Sequence, residues 1–94
     1  MAKKILVVED NEDARFILVM ILRRAGYLTI EAASGDQATE KALDESPDLI
    51  IMDLGLPGMS GIAATKAIKA NAKSARIPVV AYSAWSAAST AASP

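Results

Sequence analysis

Four short apolar runs alternate with longer segments of helical character, and this alternation constrains the fold more than any other feature of the chain. Ile5-Leu6-Val7-Val8 is brief, rich in β-branched residues and stopped by Glu9-Asp10, the pattern of a buried strand. Asn11 can cap a helix that carries Glu12 and Asp13 in its first turn and runs to about Ala25, where Gly26 suits a left-handed stop. Leu28 to Ala32 reads as a second, weaker strand. Ser34-Gly35-Asp36-Gln37 has the spacing of a capping box, opening a second helix that Pro47 closes. Leu49 to Met52 is a third strand, Ser60 can cap a third helix from Gly61 to about Asn71, and Pro78 to Tyr82 is a fourth strand. The order βαβαβαβ with short loops implies an α/β fold, a parallel sheet covered by helices on both faces. Right-handed crossovers then bring every strand C-terminus to one edge, where open α/β sheets bind their ligands.

Composition narrows the function classes. Ninety-four residues make one domain, and 52% hydrophobic with 22% charged residues is a globular balance. Ten basic against eleven acidic residues leave a net charge of -1, so there is no electrostatic footprint for nucleic acid. Cysteine is absent, which removes disulfide and thiolate chemistry and fits a reducing compartment. Histidine is absent too, removing the usual general base and the commonest metal ligand. The apolar run after Lys3-Lys4 ends at Val8, too short for a signal peptide, and the longest run, Phe16 to Leu22, is too short to cross a bilayer. A cytoplasmic protein with no membrane partner is expected. After Tyr82 the pattern fades, and residues 85–94 form an Ala/Ser-rich tail, either the start of a helix or disordered.

One residue interrupts this orderly scheme. Asp53 follows the apolar run Leu49-Ile50-Ile51-Met52 and precedes the loop Leu54-Gly55-Leu56-Pro57-Gly58-Met59-Ser60-Gly61. A charge beside a core is expensive to desolvate unless something pairs with it. The topology supplies company: Glu9 and Asp10 end the first strand, Asp53 the third and Ser83 the fourth, all at the same edge. Three carboxylates around one point repel one another unless a cation sits among them. An all-oxygen donor set suits Mg²⁺. An aspartate beside that ion is a plausible nucleophile toward phosphorus, with Ser83 able to donate a hydrogen bond to a phosphoryl oxygen. Taken singly, each residue has an ordinary reading as a strand terminator, helix precap or turn residue; their convergence favours a site.

LVVEDNEDAR, LIIMDLGLPGMSG and the downstream AYSA together closely resemble the receiver domain of bacterial two-component response regulators. The resemblance implies that Asp53 is the phosphoacceptor and Asp10 a direct Mg²⁺ ligand. It likewise makes Glu9 a ligand acting through water and the Gly55 carbonyl a third protein ligand. Ser83 takes the place of the switch hydroxyl, and Ala84 is the small residue that keeps the approach open. The flavodoxin-like, doubly wound strand order 2-1-3-4-5 is also implied by the family rather than shown by the spacing. The resemblance covers Lys3 to about Ala84. Family members continue through a fourth helix, a fifth strand bearing a lysine and a fifth helix, whereas the last lysine here is Lys73. The expectation is therefore a receiver over residues 1–84, with four strands and three helices, lacking its last strand and helix.

The leading function is a phosphoacceptor that takes phosphate on Asp53 from a histidine kinase or phosphotransfer protein, a substrate site rather than an enzyme. The alternative from another class is a receiver-like interaction module that is never phosphorylated; the absent lysine supports it and the intact acidic triad opposes it. A phosphate-ester hydrolase ranks third, because there is no histidine and position 55 is Gly rather than Asp. A homo-oligomer, most simply a dimer, is expected, with the first helix or the fourth strand at the contact. If Ile17, Leu18, Ile21 and Leu22 face the sheet, Phe16, Val19 and Met20 point away from it.

Overall fold

The computed structural model describes residues 2–56 and 58–82. Seven elements follow one another: β1 (Lys4–Val8), α1 (Glu12–Arg24), β2 (Leu28–Ala32), α2 (Gly35–Glu45), β3 (Leu49–Asp53), α3 (Gly61–Ala70) and β4 (Val79–Tyr82). The strands form one parallel sheet in the order β2-β1-β3-β4, as the resemblance implies. The two strands that read as most continuously apolar, β1 and β3, lie in the middle, where both faces are covered. Ser83, Ala84 and the tail lie outside the described residues.

The caps explain where the helices begin. The Asn11 side chain accepts from the Ala14 N–H at 2.9 Å, and the Ser60 hydroxyl accepts from the Ala63 N–H at 3.1 Å. Ser34 accepts from the Gln37 N–H at 3.2 Å, while the Gln37 amide oxygen accepts from Ala33 N–H at 2.9 Å. The reciprocal half of the box thus reaches one residue upstream of the cap. Gly26 ends the α1 turn with φ 98. The end of α2 is less expected: Ser46 takes the left-handed conformation, φ 47 and ψ 59, immediately before Pro47.

Two cores sandwich the sheet. Leu6, Val8, Ile50 and Met52 pack on one face against Ala38 and Ala42 of α2, Ala64 and Ile68 of α3, and Ile77. On the other face Ile5 and Val7 meet Val19, with Leu18, Leu22, Leu49 and Ile51 around them. This corrects the expected orientation of α1 in part: Leu18 and Leu22 face the sheet and Phe16 and Met20 point away as expected, but Val19 is inward and Ile17 and Ile21 are not. Val19 is 6% exposed, whereas Ile17 and Ile21 are 57% and 59% exposed. The inward face is Arg15, Leu18, Val19 and Leu22, spaced i, i+3, i+4, i+7. A run that is apolar at every position from Phe16 to Leu22 has no polar face to set its phase, so only packing chooses.

Candidate functional site

The sheet register assembles the site. Val8 pairs with Met52 and Met52 with Ala81, one residue before Asp53 pairs with Tyr82. Ladder bonds continue past the strand ends: the Glu9 N–H donates to Ala32 O at 3.0 Å, and the Leu54 N–H donates to Tyr82 O at 2.7 Å. Glu9, Asp53 and Tyr82 therefore stand in one row across β1, β3 and β4. Strand side chains alternate between faces, so the three share the face that carries Ile5, Val7 and Ile51.

Glu9 and Asp53 are buried, 2% and 4% exposed, and Asp10 is exposed. One carboxylate oxygen from each of the three lies within 4.8 Å of the others. The sequence-based expectation that these acids converge is thus met. Asp53 Oδ1 accepts from the Gly55 N–H at 2.9 Å, a local turn that fixes the carboxylate's rotation. That N–H is the contact Gly55 makes here. Among the described residues no donor reaches Asp53 Oδ2, and the ion pairs, Lys4 with Glu45 and Arg15 with Glu31, leave the acidic cluster unpaired. Three clustered carboxylates with no cationic partner among the described residues, all offering oxygen, form a donor set that fits Mg²⁺.

The loop after Asp53 returns to the strand end, because α3 starts directly on it. A Cβ on Gly61 would collide with the Asp53 carbonyl oxygen and lie 2.7 Å from Leu54 Cα. Glycine at this position lets the helix begin against the strand.

Two residues of the site escaped sequence reasoning. The Tyr82 hydroxyl donates to Glu9 Oε1 at 2.7 Å. Burial first, then that hydrogen bond and the negative charges of Glu9, Asp53 and Asp10, push the Tyr82 phenol far above its ordinary value. The group therefore keeps its proton and acts as a donor. Arg15 donates from Nη1 to the Glu9 carbonyl at 2.9 Å and from Nε to Glu31 Oε1 at 3.0 Å, tying α1 to the ends of β1 and β2. Nothing in the sequence pointed to Arg15, because its inward position depends on how α1 packs against Ile5 and Val7. For Tyr82 the signal exists only once the β3–β4 register is known.

Lys73 lies at the opposite edge, with Ser46, Pro47, Asp48, Arg76, Ile77 and Pro78 around a cleft of about 380 Å³. It cannot reach the acidic cluster. No helix among the described residues is long and apolar enough to cross a membrane.

With fold and site in place, comparison with known proteins defines the class. The chain belongs to the response regulator receiver domain family, whose model matches residues 5–93 and so runs past Ala84. It is 48% identical over 62 residues to the alkaline phosphatase synthesis transcriptional regulatory protein PhoP of Bacillus subtilis, covering 66% of this chain and 26% of that protein. It is 42% identical over 62 residues to sporulation initiation phosphotransferase F of the same organism, covering 66% of this chain and 50% of that one. The chain thus spans between a quarter and a half of these relatives. Among solved structures, the receiver domain of sensor histidine kinase PA1611 from Pseudomonas aeruginosa, with a magnesium ion in its active-site cleft, superposes with a TM-score of 0.82. It shares 36% identity, over 86% of this chain and 66% of that one. Chemotaxis protein CheY4 of Vibrio cholerae superposes with a TM-score of 0.82 at 28% identity, over 98% of this chain and 80% of that one.

Proposed function

We propose that this chain is a phosphoacceptor: Asp53 takes a phosphoryl group from a histidine kinase or phosphotransfer protein. The observation that carries this reading is the state of Asp53 itself. It is buried at the end of a central strand, with Oδ1 fixed by Gly55 and Oδ2 without a donor among the described residues. An Asp53 oxygen attacks phosphorus, the bond from phosphorus to the donor nitrogen breaks, and an acyl phosphate forms on the aspartate. Asp10, Asp53 and the Gly55 carbonyl would hold Mg²⁺, with Glu9 acting through water. When bound, that ion neutralises charge developing on the phosphoryl oxygens. Burial of Glu9 and Asp53 keeps bulk water from one side of the reacting carboxylate, and the Gly55 N–H restricts its rotation. Ser83, outside the described residues, would supply the switch hydroxyl, with Ala84 beside it. Asp53 is then a modified residue rather than a catalyst with turnover.

The test is labelling by acetyl phosphate in the presence of Mg²⁺, read by mass spectrometry. A single phosphoryl adduct on Asp53, absent in Asp53→Asn, is expected. An unlabelled protein that still binds Mg²⁺ would favour the assembly module, for which the exposed apolar face of α1 speaks.

A further inference from the structure

Glu9 differs from its two acidic neighbours in how completely its carboxylate is held. Oε1 accepts from the Tyr82 hydroxyl at 2.7 Å and Oε2 from the Asn11 N–H at 3.0 Å. Asp53 has one oxygen engaged, and exposed Asp10 accepts from no donor among the described residues. A carboxylate offers about four acceptor directions, so a doubly held Glu9 keeps acceptor capacity but has lost its freedom to swing toward an ion. Direct ligation therefore falls to Asp10 and Asp53, and a fixed Glu9 is suited to accept from a metal-bound water.

The reach of Tyr82 makes this contact specific. Its strand β4 is separated from β1 by β3, two spacings of about 4.8 Å each. The ring lies on the same face as Asp53, passing over that position in the row, and only a long side chain with a terminal donor closes the gap. A phenylalanine would bury the same ring and leave a nearly fully buried carboxylate oxygen without this partner.

We propose that Tyr82 is a positioning residue of the acidic site: its hydroxyl anchors the Glu9 carboxylate as the outer-sphere partner of a magnesium ion held directly by Asp10 and Asp53. This rests on the metal-binding reading above and adds β4 to the elements that shape the site. Partners of this kind, behind the direct ligands, commonly change metal affinity by about 10–100-fold when removed.

Mn²⁺, which is visible by electron paramagnetic resonance and takes the same oxygen donors, serves as the probe on the full chain, with Mg²⁺ competition giving the magnesium affinity. The wild type should bind Mn²⁺ that Mg²⁺ displaces, and Asp10→Asn should bind it poorly. Tyr82→Phe should bind about tenfold more weakly than wild type. Adding Tyr82→Phe to Glu9→Gln should change the affinity by less than about twofold, because one residue acts through the other. A tyrosine that merely packs would leave the affinity unchanged; that result, or tighter binding, overturns the proposal and leaves the metal site standing. A wild type with no displaceable ion removes the metal reading and the role of Tyr82 together. Should Tyr82→Phe not fold, the wild type decides, with ¹³C-labelled tyrosine assigned against Tyr27→Phe. The Tyr82 Cζ resonance should shift as Mg²⁺ saturates the site, and a resonance that stays still while the ion binds overturns the assignment.

Discussion

Asp10, Glu9 and Asp53 bring three carboxylates into one small volume, and the two buried ones are held by hydrogen-bond donors, with no cationic side chain on them among the described residues. Gly55, Asn11 and Tyr82 supply those donors. A cation binding only the folded state stabilises it by mass action, by about 2.7 kcal/mol at one hundred times Kd. For a domain of this size that corresponds to roughly 10 °C or more in Tm. Thermal unfolding with and without Mg²⁺ should show such a rise. Asp10→Asn should lose most of it while unfolding no earlier than wild type in metal-free buffer, because one of three repelling charges is gone. A Tm indifferent to millimolar Mg²⁺ would speak against metal binding.

The elements carry their own predictions. The turn from β3 to α3 depends on Gly61, whose absent Cβ leaves room for the Asp53 carbonyl. Gly61→Ala forces either the helix start or the strand end to move, an overpacking cost of about 1–3 kcal/mol. Denaturant unfolding should show that loss, and the same displacement should slow labelling of Asp53. At the end of α2, Ser46 occupies a left-handed conformation with φ 47. A non-glycine residue there gives up roughly 1–2 kcal/mol, part of which glycine returns as lost chain entropy. Ser46→Gly should therefore stabilise by about 0.5–1 kcal/mol, read by the same unfolding experiment. The boundaries of α1, β2 and α3 were legible because Asn11, Gly26 and Ser60 act within a few residues of themselves. The orientation of α1 was not, since seven consecutive apolar residues fit several faces and only contact with Ile5 and Val7 selects Val19 over Ile17 and Ile21.

Over the whole molecule, α2 and α3 cover one face of the sheet and α1 packs on the other. The outward side of α1 displays Phe16, Ile17, Met20 and Ile21, each at least 42% exposed. A contiguous apolar patch of this kind marks an interaction surface more often than a solvated one. Self-association through α1 is the expected outcome: light scattering at tens of micromolar should give the mass of a dimer, and Phe16→Glu with Ile21→Glu should return the monomer. A wild type that is monomeric at that concentration removes self-association, leaving the patch for another partner.

The strand–helix alternation, the caps and the acidic residues at strand ends are local or periodic properties, so the chain alone determined the α/β class, the parallel sheet and the edge on which Glu9, Asp10 and Asp53 meet. Side-chain reach across strands is neither local nor periodic. Whether Tyr82 touches Glu9 depends on a register between β3 and β4 and on two strand spacings, and whether Val19 or Ile17 is buried depends on how a helix rolls against a sheet. Those choices are made by packing and hydrogen bonding between segments far apart in the chain, 73 residues apart for Tyr82 and Glu9. Only the tertiary structure decided them.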